Sequence, residues 1–193
     1  MTLEDKMKLL IQLLKNKGIQ FTKGLTDEEL ITVEADFDFW FPPDWRILLC
    51  MESPVSKGFV DWKKALSSRK YENEILERLS WPLEGMLFDI QNNVFWDKQW
   101  GKKPDSFEQQ KEIAEENIRK YPKLIPIYSH RYIPSTPQEV GNPIFSVYQM
   151  DIIYYGFDLA TYFRNEFHLN LPDSFEIPQE AKYIEFWSEQ TIY

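Results

Sequence analysis

Residues 142–167 read NPIFSVYQMDIIYYGFDLATYFRNEF, and this stretch constrains the fold more than any other. From Ile144 to Tyr155 it is rich in β-branched and aromatic side chains, which favour a strand. Alternate residues of a strand face opposite sides of the sheet. One set is Ile144, Ser146, Tyr148, Met150, Ile152 and Tyr154; the other is Phe145, Val147, Gln149, Asp151, Ile153 and Tyr155. Both sets are mostly apolar, so the run predicts a central strand covered on both faces. Gly156 breaks it. Asp158 then caps a helix whose inner stripe is Leu159, Tyr162, Phe163 and Phe167. Gly156 and Asp158 are therefore expected to be structural. Asp151 is the exception inside the run. A buried carboxylate needs partners or its pKa rises. The expectation is a structural acid that binds backbone N–H groups of a neighbouring loop, or pairs with Arg131 or Arg164.

The other elements follow from caps, breakers and periodicity. Thr2 can cap a helix with Leu3, Met7, Leu10, Ile11 and Leu14 on one stripe, ended by Gly18. Thr26-Asp-Glu-Glu29 has the form of a capping box, with Leu30, Val33 and Phe37 facing inward. Pro42-Pro43 forbids one continuous helix but suits a helix's first turn, so a turn is expected, then a short helix carrying Trp45, Leu48 and Leu49 inward. Gly58 to Trp62 reads as a short strand. Tyr71 to Trp81 reads as a helix with Ile75, Leu76 and Leu79 inside. Met86–Ile90 and Val94–Trp96 flank Asn92-Asn93, which predicts a β-hairpin. A helix from Ser106 to about Tyr121 follows, with Phe107, Ala114, Ile118 and Tyr121 on one side and an i,i+4 pair of Glu115 with Arg119. LIPIYSHRYIPSTP is extended because its prolines exclude helix. No repeat, low-complexity segment or linker divides the chain.

Charge narrows the function classes. The 193 residues carry 31 acidic and 22 basic side chains, a net charge of −9. A direct nucleic-acid binder needs a basic face, so that class is disfavoured. The distribution is uneven. Asp27, Glu28, Glu29, Glu34, Asp36, Asp38 and Asp44 lie between Gly24 and Trp45, with no Lys or Arg among them. This window is either a solvated surface or a face for a basic partner. No apolar run approaches the roughly 20 residues of a membrane span. The start, MTLEDKMKLL, lacks the form of a secretory signal, so a cytoplasmic protein is expected.

Chemistry-bearing motifs are few. One cysteine, Cys50, and two histidines, His130 and His168, are too few for a zinc cluster, and no metal site is expected. No GxGxxG, P-loop, GxSxG or HExxH occurs, so neither a cofactor nor a catalytic residue is assigned. His130 reads as a loop or packing histidine, and Cys50 as a small buried hydrophobe. Asp151 with Asp89 of LFDIQ would be the carboxylate pair of a hydrolase, if their strands brought them together. The 7 Trp, 10 Tyr and 14 Phe exceed ordinary core needs and supply contact surfaces, or a glycan platform. Trp96 and Trp100, beside a polar loop, are candidate interface anchors.

GLTDEELITVEADFDFWFPPDWRILL resembles the opening of the SUKH superfamily: an acidic helix, a Pro-containing link, then a helix with an aromatic and Leu-Leu. LIPIYSHRYIP and NPIFSVYQMDIIYYGFDLATYF resemble the later strands and C-terminal helix of larger bacterial members. The resemblance spans Gly24 to Phe167. Where many members follow Leu-Leu with an Asn-Gly loop, this chain has CMESPVSKGF. The resemblance implies one α+β domain over residues 24–193: a twisted, mainly antiparallel sheet with flanking helices. Residues 1–23 would be an N-terminal helical extension and residues 63–121 an insert. It also implies a binding role. Bacterial members look like immunity proteins that neutralise polymorphic toxins, often nucleases or deaminases, and a eukaryotic branch regulates cell-wall glucan synthesis. On that reading a basic toxin is the partner, met by Asp27, Glu28, Glu29, Glu34, Asp36, Asp38, Trp96 and Trp100. The competing readings are the carboxylate hydrolase and a glycan-binding protein.

Overall fold

A computed structural model of the chain describes residues 1–191. Among these residues the fold is α+β, with seven α-helices and two antiparallel sheets of two and four strands. Helix α1 (Leu3–Asn16) opens with the capping box of Thr2 and Asp5 and buries Met7, Leu10, Ile11 and Leu14. Strand β1 (Phe21–Lys23) pairs with β2 (Glu52–Pro54). Between them lie α2 (Asp27–Phe37), capped by Thr26 and Glu29, and α3 (Pro43–Met51), which starts on proline. The predicted strand at Gly58–Trp62 forms only isolated bridges, such as Phe59 with Tyr128, and Trp62 begins α4 (Trp62–Ala65).

The next element departs furthest from the sequence reading. Helix α5 (Arg69–Gln91) runs through the region expected to be a hairpin. Pro82 lies inside it and cannot donate to the carbonyl of Arg78. The hydroxyl of Tyr132 donates to that carbonyl instead, at 2.9 Å, so the helix continues. Asn93 does take a left-handed φ of 59°, but it ends the helix and turns no hairpin. Leu76, expected inside, is exposed. Helix α6 (Phe107–Ile118) follows, where the i,i+4 pair is Lys111 with Glu115.

The main sheet is a meander in the order β3 (Leu124–Tyr128), β4 (Arg131–Pro134), β5 (Ile144–Tyr148), β6 (Asp151–Gly156). The expected single central strand is thus two strands, turned at Gln149 with φ 56°. The cause lies outside the strands. A Cβ on Gly85 of α5 would lie 2.8 Å from the Cα of Gln149, so only glycine admits the turn there. Asp89, also on α5, accepts from the backbone N–H of Met150 at 3.0 Å. Asp151 starts β6 and is exposed, so the buried environment expected for it does not exist. Asp89 performs the loop-binding task, from a helix. Arg131 meets Glu166 and Ser146, not Asp151.

The meander is covered on both faces. Ile125, Ile127, Ile133 and Ile144 join one core with α1, α2, α3 and α7 (Leu159–Phe167). Leu124, Tyr132, Phe145, Val147 and Ile152 join another with Met86, Ile90, Ala114 and the tail residues Ile184, Phe186 and Trp187. Neighbours along each strand thus serve different cores, as the pleat demands. Helix α1 belongs to the first core and contributes four of its buried side chains. Asp158 caps α7 by accepting from the N–H of Thr161 at 2.7 Å. No described helix is long and apolar enough to cross a membrane.

Candidate functional site: the acidic and aromatic face of α2

The surface around α2 rests on an aromatic wedge. After Phe37 the chain runs Asp38-Phe39-Trp40-Phe41 with alternating sides. Phe37, Phe39 and Phe41 are buried, while Asp38 and Trp40 are exposed. All three phenyl rings meet Trp62 edge-on, with centroids 6.0, 5.7 and 5.1 Å away. Edge-to-face contacts at this range are favourable. Because the odd residues are held inside, Trp40 is turned outward and is 62% exposed. Its carbonyl accepts from Gln138 at 3.1 Å, which ties the segment to the loop after β4.

The seven acids of the window divide into distinct environments. Asp27 pairs with Arg46 at 3.0 Å, Glu29 with Lys63 at 3.2 Å, and Asp38 with Lys123 at 3.4 Å. Lys123 also donates to the carbonyls of Phe37 and Asp38, where a cation suits the helix C-terminus. Glu34 is buried; it accepts from the N–H of Phe41 at 3.1 Å and lies 3.5 Å from Arg46. Glu29 has its pKa lowered, first by the Thr26 N–H and then by Lys63. Glu28 and Asp36 have no cationic partner among the described residues. They are exposed on α2, as are Ile31 and Ala35. The outer side of α2 therefore carries two unpaired carboxylates and Ile31, with the exposed Trp40 just beyond its C-terminal end and the largely solvated Asp27 and Asp38 at its two termini.

Asp44 is buried and belongs to the scaffold. Its carboxylate accepts from the N–H groups of Trp45 and Gly141, both at 2.9 Å. Burial outweighs these bonds and raises its pKa above the usual 3.8. A raised carboxylate pKa means the folded state holds the proton longer, so stability falls as pH climbs from 3.8 through the folded value. The stability of the wild type minus that of Asp44→Asn should shrink over that rise. Urea denaturation at a series of pH values measures it, and a difference that grows with pH would show the shift has the opposite sign.

Trp96 and Trp100 lie elsewhere. Trp100 sits on a 3-10 turn, stacks on Phe186 at 6.1 Å and meets Trp96 edge-on at 5.4 Å. Trp96 donates to the carbonyl of Gly101 at 2.9 Å. Both are half-buried in the second core's aromatic cluster, and the geometry does not bring them to the α2 face. Trp40 is the residue that reading the sequence missed. The signal was present: Phe37, Phe39 and Phe41 alternate with Asp38 and Trp40 just before Pro42-Pro43.

The remaining chemistry is sparse. Asp89 is committed to the Met150 N–H, and Asp151 is exposed on β6. His130 sits in the β3–β4 turn with its Nδ1 3.2 Å from Ser129 Oγ, and burial lowers its pKa. Cys50 is half-buried, which raises the pKa of its thiol. A cleft of about 540 Å³ lies between α5, α6 and residues 121–124. Its walls are mainly Leu79, Pro82, Leu83, Ile118 and Trp187, with Arg119 and the Asp38–Lys123 pair among its lining. Among the described residues no group of three or more His, Cys, Asp or Glu could hold a metal ion. No family model, curated protein or solved structure matches the chain.

Proposed function

We propose that this chain is a non-catalytic protein-binding domain of the immunity-protein kind, which neutralises a basic toxin by forming a stoichiometric complex. The observation that carries the reading is the outer face of α2. There an exposed Ile31 lies between the unpaired carboxylates Glu28 and Asp36 in the helix, and an exposed Trp40 follows its C-terminus. Interface energy concentrates in a few aromatic anchors, while complementary charge sets approach and register. A net charge of −9 suits a cationic partner and suppresses association with acidic ones. The resemblance to SUKH proteins supports the same class, and it supplies the toxin as the partner and the cytoplasm as the place of action.

The test begins with a tagged pull-down from the native cell and identification of the partner captured in equal amount. Titrating that partner with this protein should reduce its toxic activity linearly, reaching zero near one equivalent. Trace amounts that inactivate a large excess would instead mean turnover, and the binding reading would fall. The pair Glu28→Lys and Asp36→Lys should slow association by roughly tenfold at low salt, and by less at high salt where screening already weakens the field. An unchanged rate and salt slope would reduce this face to a solubilising surface.

A further inference from the structure

Helix α5 carries a second exposed face that the α2 surface does not explain. Glu77, Trp81, Glu84 and Phe88 follow one another at steps of four, three and four, so they share one side of the helix. Its opposite side buries Ile75, Pro82, Met86 and Ile90. Trp81 is 41% exposed and Phe88 53% exposed, one heptad apart. Neither Glu77 nor Glu84 has a cationic partner among the described residues; Glu84 accepts only from Ser80 at 2.6 Å. The Arg78 guanidinium lies over the Trp81 ring, 5.9 Å from its centroid, so folding uses part of this indole, but the exposed remainder of Trp81 and Phe88 is left without a partner among the described residues. Single exposed apolar residues are ordinary, whereas a repeating pair on one helix side is not.

The face is also held rigid. Arg78 donates to the carbonyls of Gly58 at 3.2 Å and Ser129 at 2.6 Å. The carbonyl freed by Pro82 is taken by Tyr132. Gly85 fits against Gln149, and Asp89 holds the N–H of Met150. Gly85 lies between Trp81 and Phe88 in the helix sequence, and the residue before the turn it supports, Tyr148, is 68% exposed. Side chains on a fixed helix lose little conformational freedom on binding, which is the condition for an efficient docking surface.

We infer that the Glu77–Trp81–Glu84–Phe88 face of α5 docks a basic amphipathic helix, in which apolar side chains one heptad apart are flanked by Lys or Arg. Charge decides the occupant. A second copy of this chain would set unpaired glutamates opposite glutamates, which costs energy, whereas a cationic helix meets them with opposite charge. Heptad spacing of Trp81 and Phe88 matches the repeat of a helix lying along this one.

The test uses the full chain and two synthetic 18-residue Lys/Leu peptides: one with leucines at heptad-type spacing, the other of the same composition scrambled so that no apolar face forms. Titration calorimetry should detect one-to-one binding of the amphipathic peptide and far weaker binding of the scrambled one. Trp81→Ala with Phe88→Ala should weaken the amphipathic peptide by about tenfold or more, and Glu77→Lys with Glu84→Lys by a similar factor. Glu28→Lys with Asp36→Lys on α2 should leave it within about threefold. Amide shift mapping on the wild type, which needs no variant to fold, should place the changes on α5. Equal binding of both peptides, shifts confined to α2, or an α5 variant that binds normally overturns the proposal. So does a concentration-dependent dimer at neutral pH that Trp81→Ala with Phe88→Ala abolishes, because the face would then belong to a second copy.

Discussion

Replacing Trp62 by alanine should cost about 3–5 kcal/mol of stability, among the largest effects expected from one substitution in this chain. Trp62 is fully buried and takes the edges or faces of Phe37, Phe39 and Phe41 at 5.1–6.0 Å. Removing it deletes a large apolar volume, and three phenyl rings cannot collapse into the space without moving α2 and the segment that follows. The same rings hold Trp40 outward, so binding through the α2 face should weaken as well, beyond what the lost fraction of folded protein accounts for. Trp62→Phe should be much milder, because the indole N–H has no hydrogen-bond partner to lose among the described residues. Urea denaturation of the two variants decides the matter. An alanine variant within about 1 kcal/mol of wild type would mean the cluster does not organise this surface.

The second large effect is expected at Gly156, where valine should cost about 3 kcal/mol or more, or prevent folding outright. A Cβ there would lie 2.4 Å from the N and 2.5 Å from the Cα of Tyr162. Those are backbone atoms of α7, and the helix is fixed by its Asp158–Thr161 capping box and by Leu159, Tyr162 and Phe163 in the first core. Gly18→Val tests the reasoning from the other side. Gly18 has a φ of 85° and nothing within 4 Å of its Cβ position, so the only penalty is left-handed backbone, about 1–2 kcal/mol. Thermal melts should therefore rank Gly156→Val well below Gly18→Val. The reverse order would mean α7 shifts easily and the strand-to-helix junction is not tight.

How much of this was legible in the sequence depends on how local the cause is. The starts of α1, α2, α3 and α7 were, because a cap or a proline and an apolar stripe act within a few residues of one another, whereas α2 ends at Phe37, where Asp38 turns left-handed, and not at Pro42-Pro43. The α+β class followed from the same signals together with the apolar strand run. The boundary at Gly156 was readable too, although its reason, the approach of Tyr162, was not. Helix α5 was misread because Asn92-Asn93 carries the same left-handed tendency at a hairpin and at a helix end. The stripe of Ile75, Met86 and Ile90 was the better signal, and Pro82 obscured it.

The site divides in the same way. The acid-rich window was plain as composition, but composition could not say which acids keep their charge free. Arg46, Lys63 and Lys123 lie 19, 34 and 85 residues from the carboxylates they meet, and those separations leave no trace in local pattern. What the sequence by itself determined was the capped helices, the apolar strand segments and the acidic, aromatic-rich character of the chain. Only the tertiary structure decided where the long apolar run folds back, because Gly85 and Asp89 of a distant helix stabilise the turn at Gln149 and Met150. It also decided that Asp151 is solvated, Asp89 buried and Trp40 outward. Each of these outcomes is set by close packing and by satisfying buried backbone groups, and both depend on which segments meet in space.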